Sequence, residues 1–189
     1  MRLFVAVDLS EDARRQVAVQ QQRIAAALGG RTGSIKWVRP EHLHLTLVFL
    51  GSIADAHVPS VVDALGRDVN RPPFEMILDG VGVFPSRGAP RALWIGLTAG
   101  APELSDLQRL MAERVIALGI AIEDRPFRPH LTLGRWRASH PADRDRALAA
   151  APSGAIARVP VECATLYESR LSSSGPSYLA RARANLTRT

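Results

Sequence analysis

The tetrapeptide His44-Leu45-Thr46-Leu47 occurs a second time, a little under half the chain later, as His130-Leu131-Thr132-Leu133. Each copy follows a proline, Pro40 in one case and Pro129 in the other, and each lies in sequence rich in strand-forming residues. Successive side chains of a strand point to opposite faces. His44 and Thr46 therefore share one face, and Leu45 and Leu47 the other. His130 and Thr132 are opposed to Leu131 and Leu133 in the same way. Each copy is expected to bury its leucines and to present an imidazole beside a hydroxyl. Self-similarity at this spacing predicts two related lobes whose motif strands face each other across a cleft.

A single His-x-Thr in a strand carries little information, because strands are rich in threonine. A duplicate in matching context, in a chain with only five histidines, carries much more. Histidine titrates near neutral pH, so one copy can serve as a neutral base while the other serves as a charged acid. Opening a cyclic phosphate needs both: a base for the attacking water and an acid for the departing ribose oxygen. Threonine hydroxyls can donate to the non-bridging oxygens, where charge accumulates in the transition state. No metal is required by this scheme.

Working outward, residues 2–9 read as a strand, and Ser10 as the N-cap of a helix whose first turn carries Glu11 and Asp12. Val17, Ile24 and Leu28 continue that helix to Gly29-Gly30. Short strands are expected at 35–38 and 42–50, a helix over 55–69, and antiparallel strands at 73–84 and 91–98. A helix over 103–118 follows, with Leu104, Leu107, Leu110, Met111, Val115 and Leu118 as its apolar stripe. A strand at 130–135, a short helix at 142–149 and closing strands at 158–169 and 177–186 complete the chain. Short turns between neighbouring strands imply antiparallel pairing, hence an α+β fold. Neither 85–90 nor 172–176 is long enough to act as a linker, so residues 1–189 are expected to form one domain.

The 189 residues are 47% hydrophobic and 22% charged, the balance of a soluble globular protein. No apolar run is long enough to span a membrane, and the N-terminal strand is a poor signal peptide. The single cysteine, Cys163, excludes an internal disulfide and a cysteine-based metal cluster, and fits a reducing, cytoplasmic setting. It is expected to be buried filler. The formal net charge of +6 favours a polyanionic partner such as nucleic acid. Lys36 is the only lysine, so this arginine-based charge equally fits a codon bias and is permissive rather than decisive.

The chain resembles the two-histidine phosphoesterase superfamily, and within it the RNA 2′,3′-cyclic phosphodiesterases formerly called 2′-5′ RNA ligases. Besides the two tetrads, the resemblance rests on Arg2-Leu3-Phe4-Val5-Ala6-Val7, Trp37-Val38 and Phe49-Leu50-Gly51. It extends through Leu93-Trp94-Ile95-Gly96-Leu97, Arg125-Pro126-Phe127, Leu166-Tyr167-Glu168-Ser169 and Gly175-Pro176-Ser177-Tyr178. It implies a bilobal α+β fold with two antiparallel sheets around a central cleft and helices outside. It implies hydrolysis of an RNA 2′,3′-cyclic phosphate to a 2′-phosphomonoester, without metal or cofactor. His44 and His130 then match the catalytic pair, His44 as acid and His130 as base, although sequence alone leaves the order open. Thr46, Thr132 and Arg135 match phosphate-binding positions. Ideal alternation places Arg135 on the leucine face, so its role requires a bulge near Gly134.

Other residues invite other expectations. His42 is expected to share a strand face with His44, the start of a zinc site, but no third ligand is near. Trp94 is expected in the core; Trp136, within Arg135-Trp136-Arg137, is the more suggestive of an RNA-facing position but is not assigned one; Phe49 is expected in the core. His57, His140, Arg87 and Arg91 read as solvated loop or helix-start residues. Two other functions compete: a small cyclic nucleotide phosphodiesterase, and a non-catalytic protein that binds phosphorylated RNA ends. Reverse 2′-5′ ligation uses the same groups. A monomer is the default expectation.

Overall fold

The computed structural model describes residues 1–29, 34–123, 125–172 and 175–188. Gly30, and Ser173 and Ser174 of the expected 172–176 turn, lie outside the described residues. The chain opens with strand β1 (Arg2–Asp8), whose Leu3, Val5 and Val7 enter the main core while Phe4, Ala6 and Asp8 take the other face. Helix α1 (Glu11–Leu28) follows at once. The Ser10 side chain accepts a hydrogen bond from the Ala13 N–H at 3.2 Å, a cap worth about 1 kcal/mol. The buried stripe of α1 is Ala13, Val17, Gln21, Ile24 and Leu28, apolar but for one glutamine.

The remaining elements are β2 (Ile35–Trp37), β3 (His44–Ser52), α2 (Val58–Gly66), β4 (Val69–Asn70), β5 (Phe74–Phe84), β6 (Ala92–Ala99) and α3 (Ala101–Ile116). They continue with β7 (Leu131–Trp136), α4 (Pro141–Ala149), β8 (Ala157–Val161), β9 (Cys163–Ser172) and β10 (Gly175–Thr187). Among the described residues, two five-stranded sheets form, ordered β3-β1-β9-β10-β4 and β2-β7-β6-β5-β8. Every pairing among those residues is antiparallel except that of β10 with β4. The fold is α+β and bilobal, with helices outside, as expected.

Two of the helices are exchanged between the sheets. Helix α1 leaves the first sheet but packs against β8 and α4 of the second. Helix α3 leaves the second sheet but packs on β3 and α2 of the first. This reciprocal crossing ties the lobes together and brings β3 and β7 close across the seam.

Several sequence boundaries are corrected. The expected strand 158–169 is two strands in different sheets, separated by the exposed Glu162. Its carbonyl accepts from the Leu186 N–H at 2.7 Å, which marks the crossing. Only β8 alternates regularly, while β9 buries Ala164, Thr165 and Leu166 in succession, and strand-forming composition continues across both, so local pattern alone did not reveal the break. Pro160 is tolerated because β8 is an edge strand. The helix expected over 55–69 is shortened to α2 by a 3₁₀ turn at Asp55–His57, and Val69 leaves it to pair with β10. The stripe of α3 ends at Val115; Leu118 lies beyond the helix and is partly exposed.

Candidate active site

Both motifs reach the seam through the same local geometry. Leu45, Leu47, Leu131 and Leu133 are buried, and the interleaved His44, Thr46, His130 and Thr132 are only partly so. His44 Nδ1 lies 2.7 Å from the carbonyl oxygen of His42, and His130 Nδ1 lies 2.7 Å from that of Arg128. A carbonyl can only accept, so each ring donates from Nδ1. This fixes both tautomers and leaves Nε2 as the nitrogen free for chemistry. His44, Thr46, His130 and Thr132 line one cavity of about 740 Å³ between the lobes.

Past each threonine the alternation is interrupted at the same place. In β3, Thr46 pairs with Ala6 and Val48 with Val5, so Leu47 is an extra residue. In β7, Thr132 pairs with Trp94 and Gly134 with Leu93, so Leu133 is the extra one. A bulge of this kind exchanges the faces of the residues that follow, up to the next irregularity. It turns Arg135 into the cavity, resolving the conflict with ideal alternation. It does the same to Phe49, which is 54% exposed and lines the cavity rather than filling the core. Two core-facing residues in succession, Leu47-Val48 and Leu133-Gly134, are the trace such a bulge leaves in a sequence.

The second bulge is held from outside the sheet. The Leu133 carbonyl accepts from the Val38 N–H at 2.8 Å and from Gln21 Nε2 at 3.0 Å. Gln21 also donates to the Val38 carbonyl at 2.8 Å. Gly134 admits β2 at this point: a Cβ there would lie 3.0 Å from the Ile35 side chain and 3.2 Å from the Lys36 carbonyl.

The surroundings of the two imidazoles differ. His44 is enclosed by Phe4, with ring centroids 5.0 Å apart, and by Tyr178, edge-on at 5.3 Å. Burial holds its pKa below the ordinary histidine value, opposed by its hydrogen bond to the His42 carbonyl and by the charge of Asp8. Tyr178 is itself pushed above the usual tyrosine value by burial. His130 meets the edges of Phe84 at 5.4 Å and Trp94 at 6.4 Å. Arg2 and Arg128 join Arg135 at the cavity wall, so the mouth is electropositive.

Three expectations are revised here. His42 belongs to the 3₁₀ turn Pro40–His42 and not to β3, so it does not share a strand face with His44; its ring packs on Tyr178 at 4.9 Å. Trp94 is not in the core. Trp136 is buried in the core at 9% exposure, whereas Trp94 lies half-buried beside His130, stacked on Phe84 at 5.1 Å. Phe84 pairs with Ala92, and Gly82 is overlain by the Trp94 ring, which leaves no room for a Cβ. Cys163 is half-buried rather than buried. His57, His140, Arg87 and Arg91 are exposed, as anticipated. Tyr178, Asp8 and Gln21 were not singled out by residue pattern, because their relevance arises from strand order and helix exchange.

The "LigT like Phosphoesterase" family model matches residues 7–94 and again 95–178, so each match contains one histidine–threonine pair. A protein of Archaeoglobus fulgidus named RNA 2′,3′-cyclic phosphodiesterase is 35% identical over 178 residues, covering 94% of this chain and 96% of its own. A Methanothermobacter thermautotrophicus protein of the same name is 34% identical over 184 residues, covering 94% and 95%. Among solved structures, TT0787 of Thermus thermophilus superposes with a TM-score of 0.79 at 30% identity, covering 100% of this chain and 99% of that one. Escherichia coli LigT complexed with 3′-AMP superposes with a TM-score of 0.76 at 26% identity, covering 99% and 98%. Matched twice over by one family model, once around each histidine–threonine pair, this chain belongs to the LigT-like phosphoesterases.

Proposed function

We propose that this protein is an RNA 2′,3′-cyclic phosphodiesterase that yields 2′-phosphomonoesters by metal-independent acid–base catalysis. The observation that carries this is the matched tethering of both imidazoles at Nδ1, which leaves two Nε2 atoms for one shared cavity. His130 takes a proton from water as its oxygen bonds to phosphorus. The bond from phosphorus to the ribose 3′ oxygen breaks, and His44 gives that oxygen its proton. The products are a 3′-hydroxyl and a 2′-phosphate. Thr46 and Thr132 donate to the non-bridging oxygens as charge builds there, and Arg135 adds a planar, two-pronged contact.

The relatives named RNA 2′,3′-cyclic phosphodiesterase support the substrate class. The cationic wall supports a polyanionic substrate. Reverse 2′-5′ ligation uses the same groups, but water at about 55 M favours hydrolysis unless the second RNA end is held in place. A small-nucleotide substrate is the second reading, favoured by the complex of the similar Escherichia coli protein with 3′-AMP. Among the described residues, no helix is long and apolar enough to cross a membrane. The lone Cys163 supports a reducing, cytoplasmic setting.

The test is product analysis on an oligoribonucleotide ending in a 2′,3′-cyclic phosphate, with EDTA present, beside His44→Ala and His130→Ala. A 2′-phosphate made by wild type and lost in both variants is the expected result. Restoration by zinc after EDTA would refute metal independence. Turnover of cyclic mononucleotides but not of oligonucleotides would move the assignment to the second reading.

A further inference from the structure

The pseudo-symmetry of the two lobes breaks beside the first histidine. Asp8 is the direct cross-strand partner of His44, and Ala6 that of Thr46. In the second sheet Trp94 is the partner of Thr132. The same register carried two residues along sets Gly96 against His130. Where the first lobe has a carboxylate, the second therefore has no side chain, and the Trp94 ring covers the space, 3.3 Å from where a Cβ of Gly96 would lie. The nearest carboxylate by register, Asp79, is one strand further away, opposite Gly96.

Asp8 is also fixed in place. Thr165 Oγ1 donates to its Oδ2 at 2.9 Å and the Tyr167 hydroxyl to its Oδ1 at 2.6 Å, both from β9. Arg14 Nη2 lies 3.9 Å from Oδ1, so the pair is loose. Tyr167 is held strongly in its protonated form by burial and by that bond, so it stays a donor across the working pH range. Neutral hydroxyls and a distant guanidinium leave the carboxylate charge available to a neighbour. The groups that bear on His44 are then Asp8 on β1, Arg14 on α1, His42 in the preceding turn and Tyr178 on β10. Asp8 alone among them favours a positive imidazole by its charge.

We infer that Asp8 is a positioning residue whose anchored carboxylate, present in one lobe and missing from the other, marks His44 as the proton donor of the pair. Burial drives His44 toward neutrality, a state useless to an acid; Asp8 opposes that drive. The inference rests on the acid–base mechanism proposed above, but its first readout does not.

The experiment is an NMR titration of histidine Cε1–H signals in wild type, Asp8→Asn and Asp8→Glu, with His44→Gln and His130→Gln to assign the signals. An opposite charge within about 4–6 Å moves a titration by roughly one unit or more. Asp8→Asn is expected to lower the His44 midpoint by about that much and leave His130 in place, and Asp8→Glu to restore it. Arg14→Gln, which removes a cation and keeps the carboxylate, is expected to move His44 upward. This keeps the inference open to refutation if Asp8→Asn does not fold. An unmoved His44, or equal shifts of both histidines, overturns the inference. In turnover, Asp8→Asn is expected to lose roughly tenfold at neutral pH and to recover as pH falls; a loss equal at every pH indicates a structural role only and overturns it. A wild type with no turnover defeats the proposed function, while the titration still decides the role of Asp8.

Discussion

Replacing Gln21 by methionine tests whether the bulge that aims Arg135 is held from α1. The substitution keeps length and approximate volume, so no cavity opens. It removes two donors, at 2.8 and 3.0 Å from the carbonyls of Val38 and Leu133. Leu133 retains the Val38 N–H at 2.8 Å, so its oxygen is not stranded. Two hydrogen bonds at a net of about 1 kcal/mol each give a loss of about 2 kcal/mol. In a chain of this size that lowers Tm by roughly 4–8 °C. If the bulge relaxes to plain alternation, Arg135 leaves the cavity and the phosphate contact proposed for it goes too. A hydrogen bond to a charged group is worth about 1.5–3 kcal/mol, which sets a ceiling of roughly 10- to 100-fold on the loss of affinity. Calorimetry with a nucleoside 2′-phosphate, beside thermal melts, reads both effects. Arg135→Ala supplies the ceiling, and the double variant is expected to bind no more weakly than Arg135→Ala alone. A Gln21→Met protein that melts lower but binds as wild type does would refute the reasoning, leaving Gln21 as a core contact and the bulge self-supporting.

Removing either histidine, His44→Ala or His130→Ala, is expected to cost about 10²–10⁴-fold in kcat in single-turnover assays, with native circular dichroism retained. Because burial lowers the His44 pKa below its unfolded value of 6.5, the unfolded chain binds more protons between the folded and unfolded values. The stability contributed by neutral His44 is full above 6.5 and is lost as pH falls toward the folded value. Urea unfolding at pH 8 and pH 5 should show a smaller acid penalty in His44→Gln than in wild type. Phe49→Ala removes an exposed ring, so stability should change by less than about 0.5 kcal/mol. Loss of base stacking worth about 1–3 kcal/mol should raise KM for nucleotide substrates roughly 5- to 100-fold, and an unchanged KM would remove Phe49 from the substrate path.

The duplicated tetrads, with leucines on one face and histidine and threonine on the other, announced two matching strands and their four polar side chains. Those assignments depend only on local alternation, which an extended backbone enforces wherever it goes. The Ser10 cap, the apolar stripes of α1 and α3 and the hairpin of β5 with β6 were legible for the same reason. Three features depend on partners distant in sequence. Arg135 and Phe49 face the cleft because β7 and β3 bulge against β6 and β1, and the β7 bulge is received by Gln21 and Val38. Residues 157–172 divide between two sheets because β8 finds β5 while β9 finds β1 and β10. Asp8 meets His44, and Trp94 meets Thr132, through cross-strand register. Periodicity by itself determined which face each residue takes within its own element. Which element it then meets was decided by the packing of buried apolar faces and by the long-range pairing of backbone hydrogen bonds, which no local pattern encodes.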